Sequence, residues 1–148
     1  MFLATKIIKT YYLSNYQRNE MNDNKKLSEK FLEVLKHEGV VSITSWGVDV
    51  HVANTWNSYL VITDDQRILI PAYGFRKTEK NVNVNNTVKI TLGTKEVIGH
   101  NNYQGTGFLV DGTARYISEG DEFNFMKEKF SFLTRVLEIT VESAKQML

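Results

Sequence analysis

The stretch VVSITSWGVDVHVANTW, residues 40–56, contains two runs rich in β-branched and aromatic residues, separated by Gly47. Valine, isoleucine, threonine and tryptophan favour strands, whereas a glycine between two such runs is typical of a turn. The stretch therefore predicts a strand over residues 40–46, a turn at Gly47 and a second strand over residues 48–53.

Similar apolar runs recur through the rest of the chain, with acidic pairs or glycines at their ends. Short strands at regular spacing, with few helices between them, are typical of an antiparallel sheet closed into a small barrel. We therefore predict a mainly β fold with flanking helices, in which six to seven antiparallel strands form the barrel. The further predicted strands are residues 58–63, 67–71, 87–92, 108–117 and 136–141.

Two segments outside these strands carry apolar residues at helical spacing, and we predict an amphipathic helix in each. The first begins at Leu27 and should stop at Gly39, a residue typical of helix ends. The second covers residues 119–133, before the last strand, and its acidic start favours a helix N-terminus. Between them, residues 94–107 are rich in Gly and Asn and predict the longest loop of the core, either functional or disordered. The apolar positions are Leu27, Phe31, Val34 and Leu35 in the first helix and Phe123, Met126, Phe130 and Leu133 in the second.

The composition narrows the class of protein. A chain of 148 residues with 42% hydrophobic and 24% charged residues is typical of one soluble domain. A net charge of only +1 argues against nucleic acid as a partner, since such binding depends on neutralising phosphates. The absence of cysteine excludes disulfides, thiolate metal sites and cysteine nucleophiles. The three histidines lie far apart without metal-ligand spacing, so we expect no metal site; they are His37, His51 and His100.

The first 26 residues differ from the rest in charge, with five basic residues against two acidic ones. We predict an N-terminal extension over residues 1–26 and a single domain over residues 27–148. The extension is either poorly ordered or a short amphipathic helix that sits on a membrane surface or a partner. No run of about 20 apolar residues is present, so we expect no membrane span and, by default, a cytoplasmic location.

Two segments are candidates for a ligand site. The first is Asn54-Thr55-Trp56-Asn57-Ser58-Tyr59, in which amide and hydroxyl groups alternate with aromatic rings. Such a mixture suits a heteroaromatic ligand, because the rings stack on it and the polar groups hydrogen-bond to its edge. The alternative is a polar turn whose side chains bond to nearby backbone, with Trp56 covering the edge of the core.

The second candidate is Pro71-Ala72-Tyr73-Gly74-Phe75-Arg76-Lys77-Thr78-Glu79-Lys80-Asn81-Val82, directly after an apolar strand. Gly74 allows the backbone to approach a ligand closely, and Arg76 and Lys77 supply positive charge. Thr78 adds a hydroxyl at a predicted helix N-terminus, so the segment is suited to a phosphate monoester. The alternative is a solvated run of charges. The spacing of a P-loop and the GxGxxG pattern are both absent, and no residue stands out as a catalytic acid, base or nucleophile.

In order along the chain, several short runs together resemble one known family, the FMN-binding split barrels related to pyridoxamine 5'-phosphate oxidase. The resemblance is strongest to the single-domain FMN-binding proteins and covers residues 30–148. The runs that carry it are Glu33-Val34-Leu35-Lys36, Glu38-Gly39-Val40-Val41, Asn54-Thr55-Trp56-Asn57-Ser58-Tyr59-Leu60, Lys77-Thr78-Glu79, Asn81-Val82, Thr91-Leu92-Gly93, Gly105-Thr106-Gly107-Phe108-Leu109, Ile139-Thr140-Val141 and Ser143-Ala144.

The resemblance implies a non-covalently bound FMN whose phosphate lies on Lys77 and Thr78, assisted by Arg76. The wider family has Ser-Arg-Lys where this chain has Phe75-Arg76-Lys77, so the serine does not carry over. The resemblance also implies a homodimer with FMN near the interface. The residues along the flavin ring and ribityl chain would be Asn54, Thr55, Trp56, Pro71 and Ala72, with Asn57, Tyr59 and Gly74 completing the predicted cofactor site.

Three functions are consistent with these features. The first is an electron carrier that exchanges electrons with a redox partner protein or a small-molecule donor. The second is an NAD(P)H-dependent flavin reductase, which the absence of a dinucleotide motif disfavours. The third is a barrel that binds some other aromatic ligand without redox chemistry. The C-terminal tryptophan and arginines that hold pyridoxal phosphate in the wider family are absent from residues 141–148, which argues against vitamin B6 oxidation.

Overall fold

A computed structural model describes residues 26–148, and the predictions made for the N-terminal extension lie outside these residues. The described chain contains three helices and seven strands in one antiparallel sheet. In chain order they are α1 (Glu29–Leu35), β1 (Val40–Ser45), β2 (His51–Trp56), β3 (Val61–Ile62), β4 (Arg67–Ala72), α2 (Arg76–Val84), β5 (Thr87–Ile98), β6 (Gln104–Ile117), α3 (Asp121–Lys129) and β7 (Arg135–Gln146).

The strands are arranged in the order β2-β1-β5-β6-β7-β4-β3, and the sheet curls into a half-barrel around the main core. The predicted fold class is therefore confirmed, including the helix before the strands and the helix before the last one. The long pairing of β5 with β6 and of β6 with β7 forms the centre of the sheet. Helix α1 packs over this centre with Phe31, whose ring meets Phe108 edge to face at 5.2 Å.

Helix α1 begins at Glu29, two residues after the predicted start at Leu27, because the Ser28 hydroxyl caps it by accepting a hydrogen bond from the Phe31 N–H at 3.1 Å. Its predicted end is wrong. The helix stops at Leu35, and Gly39 has no positive φ. Gly39 is required for close packing instead, since a Cβ atom there would lie 2.0 Å from the Gly93 carbonyl oxygen.

The hairpin of β1 and β2 differs from its prediction at the turn. Strand β2 starts at His51, not at residue 48, and continues through Trp56. The reason is Asn81 of α2, whose side-chain oxygen accepts the N–H groups of Val48 and Asp49 at 2.7 and 3.2 Å. Backbone groups bound in this way cannot join the ladder between strands.

The predicted loop over residues 94–107 is also wrong. Strand β5 continues to Ile98 and β6 begins at Gln104, so only a short 3-10 turn at His100–Asn102 separates them. The pairing shifts register between Thr94 and Ile98. Such a bulge interrupts the alternation of buried and exposed side chains, which is why the pattern is weak in the sequence.

A smaller apolar cluster lies where α3 packs against β4 and β7. Beside it, Arg67 donates to Glu122 with both terminal nitrogens at 2.8 Å and to Glu138 at 2.5 Å. Arg115 donates to the second oxygen of Glu138 at 2.6 Å. Burial raises the pKa of Glu138, but the two arginines outweigh that effect and keep the pKa below its usual 4.5. Glu138 is therefore ionised in the folded protein near neutral pH.

Replacing Glu138 with glutamine should lower the free energy of unfolding at pH 7 by about 1–2 kcal/mol, the usual contribution of hydrogen bonds to charged groups. Because the folded pKa is lower than the unfolded one, the contribution is complete above pH 4.5 and disappears as pH falls through the folded value. Urea unfolding at pH 7 and pH 3 should therefore show a smaller difference between wild type and variant at pH 3. Glu142→Gln, exposed on the same strand, is the control, and a pH-independent difference would contradict the prediction.

Candidate functional site

The segment between β4 and α2 has an unusual backbone. Gly74 and Phe75 both adopt left-handed conformations, with φ of 74° and 50°. Apart from its chain neighbours, no residue of the described range 26–148 comes within 4 Å of a Cβ atom placed on Gly74, so this glycine is needed for its conformation and leaves open space beside it. Phe75 is a non-glycine residue in the same region, which is a source of strain.

Helix α2 begins directly after these two residues, as predicted for Thr78 at a helix N-terminus. Its first internal hydrogen bond runs from the Glu79 N–H to the Phe75 carbonyl at 2.9 Å. The N–H groups of Arg76, Lys77 and Thr78 accordingly have no hydrogen-bond partner in the described part of the chain. Three free N–H groups at the positive end of a helix dipole favour an anion.

The side chains of the first turn of α2 differ in their exposure and in whether they have a partner. Arg76 is 68% exposed and lies 3.8 Å from a carboxylate oxygen of Glu79. Lys77 is exposed and forms no ion pair within residues 26–148. Thr78 is fully buried, and its hydroxyl is the one buried hydroxyl of these residues without a hydrogen-bond partner. A ligand that reaches this hydroxyl must displace the side chains that cover it, whereas Lys77 is directly accessible.

Pro71 and Ala72 are the last two residues of β4, and both are buried. The Ala72 carbonyl accepts a hydrogen bond from the Thr134 N–H at 2.9 Å. Across the ladder, Pro71 pairs with Val136. This ladder holds the chain firmly up to the point where the left-handed turn begins.

In the other candidate segment, neighbouring side chains lie on opposite faces of strand β2. Asn54 and Trp56 point to the exposed face of β2, and Thr55 between them is buried. Asn54 accepts a hydrogen bond from the Ser42 hydroxyl at 2.9 Å, and Trp56, 46% exposed, pairs with Val40. The exposed face therefore presents an aromatic ring beside a polar amide at the edge of the sheet.

The other two predicted site residues of this segment, Asn57 and Tyr59, lie elsewhere. Asn57 is fully buried and donates to the carbonyls of His37 and Gly93 at 2.9 and 3.1 Å, while its side-chain oxygen has no partner. This geometry matches the alternative of a polar turn that bonds to backbone. Tyr59 contacts the smaller apolar cluster, with ring centroids 5.4 Å from Phe130 and 5.5 Å from Phe132.

Helix α2 connects the two candidate segments. It packs against β1, β2 and β6, with Asn81 at the contact. The Asn81 side chain is buried and donates to the Ser45 hydroxyl at 3.0 Å and the Asp49 carbonyl at 2.7 Å. An asparagine inside a helix is a weak helix former, and this was the one signal in the sequence for its structural role.

Two residues near the start of α2, Arg135 and Tyr116, were missed by the sequence interpretation; with Glu79 they form a group, hereafter the Arg135 cluster. Arg135 is 8% exposed; its Nε lies 2.5 Å from Glu79, and one terminal nitrogen donates to the Gly74 carbonyl at 2.5 Å. The guanidinium lies over the Tyr116 ring at 5.0 Å. Burial raises the pKa of Tyr116 to about 12, so its hydroxyl is protonated near neutral pH. No pattern marks Arg135, an isolated arginine before an apolar strand.

No group of three or more His, Asp or Glu side chains within residues 26–148 is arranged to hold a metal ion. Among the helices that the structure describes, none has the length and apolar character needed to cross a membrane.

Comparison with known proteins agrees with this architecture. A family model described as pyridoxamine 5'-phosphate oxidase matches residues 27–148. An FMN-binding protein from Nitratidesulfovibrio vulgaris (strain DSM 19637 / Miyazaki F) is 47% identical over 119 residues, which are 80% of this chain and 96% of that protein.

Solved structures share the fold at lower identity. An FMN-binding protein from Syntrophomonas wolfei superposes with a TM-score of 0.63 at 16% identity, covering 96% of this chain and 97% of that one. A putative pyridoxamine 5'-phosphate oxidase from Lactobacillus delbrueckii gives 0.59 at 17% identity, covering 81% and 93%. Together with the match over nearly the whole described chain, these results confirm the resemblance seen in the sequence: the chain belongs to the pyridoxamine 5'-phosphate oxidase family of split barrels.

Proposed function

We propose that this chain is a flavoprotein that binds FMN without a covalent bond and acts as an electron carrier. The observation that carries the proposal is the first turn of α2, where, within the described residues, three N–H groups and the exposed charge of Lys77 have no partner and the buried hydroxyl of Thr78 is unsatisfied. A phosphate monoester carries the charge and the acceptor oxygens that these groups lack. The name of the relative that is 47% identical supports the choice of FMN among phosphate esters.

In this proposal Lys77 holds the phosphate as a point charge, and Thr78 donates its hydroxyl once the side chains above it move aside. Arg76 assists from the exposed surface, and its contact with Glu79 at 3.8 Å is loose enough to be exchanged for phosphate. Gly74 leaves room for the ligand beside the backbone.

Trp56 is the residue we propose to lie along the flavin ring, with Asn54 on the same face of β2, while Thr55 supports this part of the strand from its buried face. Pro71 and Ala72 approach the ribityl chain from the end of β4. Asn57 and Tyr59 support this region from behind, since both are engaged in internal contacts. When bound, FMN supplies the electron-transfer chemistry, and the protein supplies binding, orientation and electrostatic tuning.

We also propose a homodimer. The exposed face of β1 and β2 carries Val40, Val52 and Trp56, each with about half of its surface accessible; Val40 and Trp56 are paired, and Val52 lies further along the same face opposite Thr44. Apolar side chains grouped on an exposed face mark an interaction surface. A second copy on this face would shield Trp56 and the flavin from water.

Reconstitution with FMN tests the proposal. Flavin-free protein mixed with FMN and passed through a desalting column should retain a visible flavin spectrum with quenched fluorescence. Loss of the flavin at micromolar protein would contradict FMN binding and favour a barrel for another ligand. Light scattering should give twice the mass of one chain, and a monomer would contradict the dimer.

Anaerobic addition of NADH to the reconstituted protein separates the carrier from the reductase. A carrier should remain oxidised on the scale of minutes and be reduced by dithionite. Rapid bleaching whose rate saturates with NADH would contradict the carrier and identify a flavin reductase.

A further inference from the structure

The contacts of Arg135 are concentrated on the turn before α2. One terminal nitrogen donates to the Gly74 carbonyl at 2.5 Å and the other to the Thr134 hydroxyl at 2.7 Å. Its Nε lies 2.5 Å from a carboxylate oxygen of Glu79, in the first turns of the helix, as an ion pair without hydrogen-bond geometry. A planar guanidinium is suited to holding the two hydrogen-bond partners in fixed directions while its charge is balanced by Glu79.

Tyr116 binds the residue that follows Gly74 in the turn, Phe75. Its hydroxyl donates to the Phe75 carbonyl at 3.3 Å, and its ring supports the guanidinium of Arg135. The two left-handed residues, Gly74 and Phe75, are thus each bound at the carbonyl by one member of the Arg135 cluster. Left-handed backbone at a non-glycine residue persists where surrounding contacts determine it, as they do here.

We infer that Arg135 is a positioning residue for the phosphate, acting through the turn that it holds and not through contact with the ligand. The inference rests on the proposed FMN function. Rotation of the Gly74 and Phe75 peptides would change the direction of the first free N–H groups of α2, so a fixed turn keeps these groups aimed at one point before the ligand arrives. Preorganisation of this kind improves affinity without adding a contact.

Arg135→Lys is the variant of choice, because it retains a positive charge beside Glu79 while losing the planar fork. We expect the Kd for FMN to rise about tenfold, the equivalent of one hydrogen bond to a charged group. The Kd for riboflavin, which has no phosphate, should change less than about twofold, because only the phosphate depends on the turn. Titration by flavin fluorescence measures both.

Amide hydrogen exchange in the flavin-free protein gives a second readout that does not depend on FMN. Arg135→Lys should accelerate exchange at the Glu79 amide, the first internal bond of α2, and leave the centre of β6 unchanged. Arg115→Lys is the matched control, since Arg115 pairs with Glu138 away from the turn and should change neither measurement. Tyr116→Phe removes one weaker bond and should shift FMN affinity in the same direction by a smaller factor.

Equal losses of FMN and riboflavin affinity in Arg135→Lys would overturn the positioning role, as would unchanged exchange at Glu79. If Arg135→Lys does not fold, Tyr116→Phe replaces it as the test. Equal losses of FMN and riboflavin affinity in that variant, or unchanged exchange at Glu79, would then overturn the positioning role. Failure of the proposed function is distinct, because wild-type protein would then retain no flavin, whatever the variants do.

Discussion

Lys77→Ala should weaken FMN binding by about 30-fold, within the range expected for a charge-assisted contact to phosphate. Lys77 forms no ion pair within the described residues, so its charge is available to a ligand and its removal leaves no unpaired acid. Because the side chain is exposed, the substitution should leave the free energy of unfolding nearly unchanged. The substitution should therefore lower the affinity for FMN and not the stability of the fold.

Parallel titrations with FMN and riboflavin measure this effect. Riboflavin affinity should change little, since riboflavin lacks the phosphate. Lys80→Ala is a matched control, because Lys80 is exposed on the same helix one turn further from the free N–H groups. A similar loss for both ligands, or an equal effect of Lys80→Ala, would refute a phosphate contact at Lys77.

Asn81→Ala should lower the free energy of unfolding by about 3 kcal/mol. Four hydrogen bonds of about 1 kcal/mol each are lost, and the higher helix propensity of alanine offsets part of that loss. The four bonds join the buried amide to the N–H groups of Val48 and Asp49, the Asp49 carbonyl and the Ser45 hydroxyl. Gly47 packs so closely on the helix that a Cβ atom there would lie 2.0 Å from the Asn81 carbonyl oxygen. This packing keeps the turn against the helix.

Urea unfolding followed by circular dichroism measures this difference. Asn83→Ala provides the comparison, since Asn83 is exposed on the same helix. That variant should be as stable as the wild type or slightly more stable, because alanine is the better helix former. Equal destabilisation by both substitutions would show that the side chain of Asn81 is not the cause.

Local patterns in the sequence predicted the strands well where burial alternates, as in β1, or where a short run is continuously apolar, as in β4. They failed where a distant side chain decides the backbone. The start of β2 depends on Asn81, some 30 residues further along, and the extension of β5 past Thr94 depends on a shifted register with β6. Neither influence is visible in a window of neighbouring residues.

In the candidate site too, features with local signals were predicted and features that depend on distant residues were missed. The N-terminus of α2 was predicted, because glycine, basic residues and threonine after an apolar strand are local signals. The Arg135 cluster was missed, because strand pairing brings Ala72 opposite Arg135 only in the folded sheet. Asn57 and Tyr59 were grouped with Trp56 by sequence adjacency, whereas a 3-10 turn at Asn57–Tyr59 directs them to other contacts.

Helix α2 spans about 13 Å at the usual rise per residue. Its first turn carries the N–H groups that have no partner within the described residues, and Asn81, in its second half, fastens it to the turn of the hairpin that bears Trp56. One short element therefore joins the proposed phosphate site to this hairpin. Under the proposed function, binding at the first turn and order in the hairpin would be thermodynamically linked.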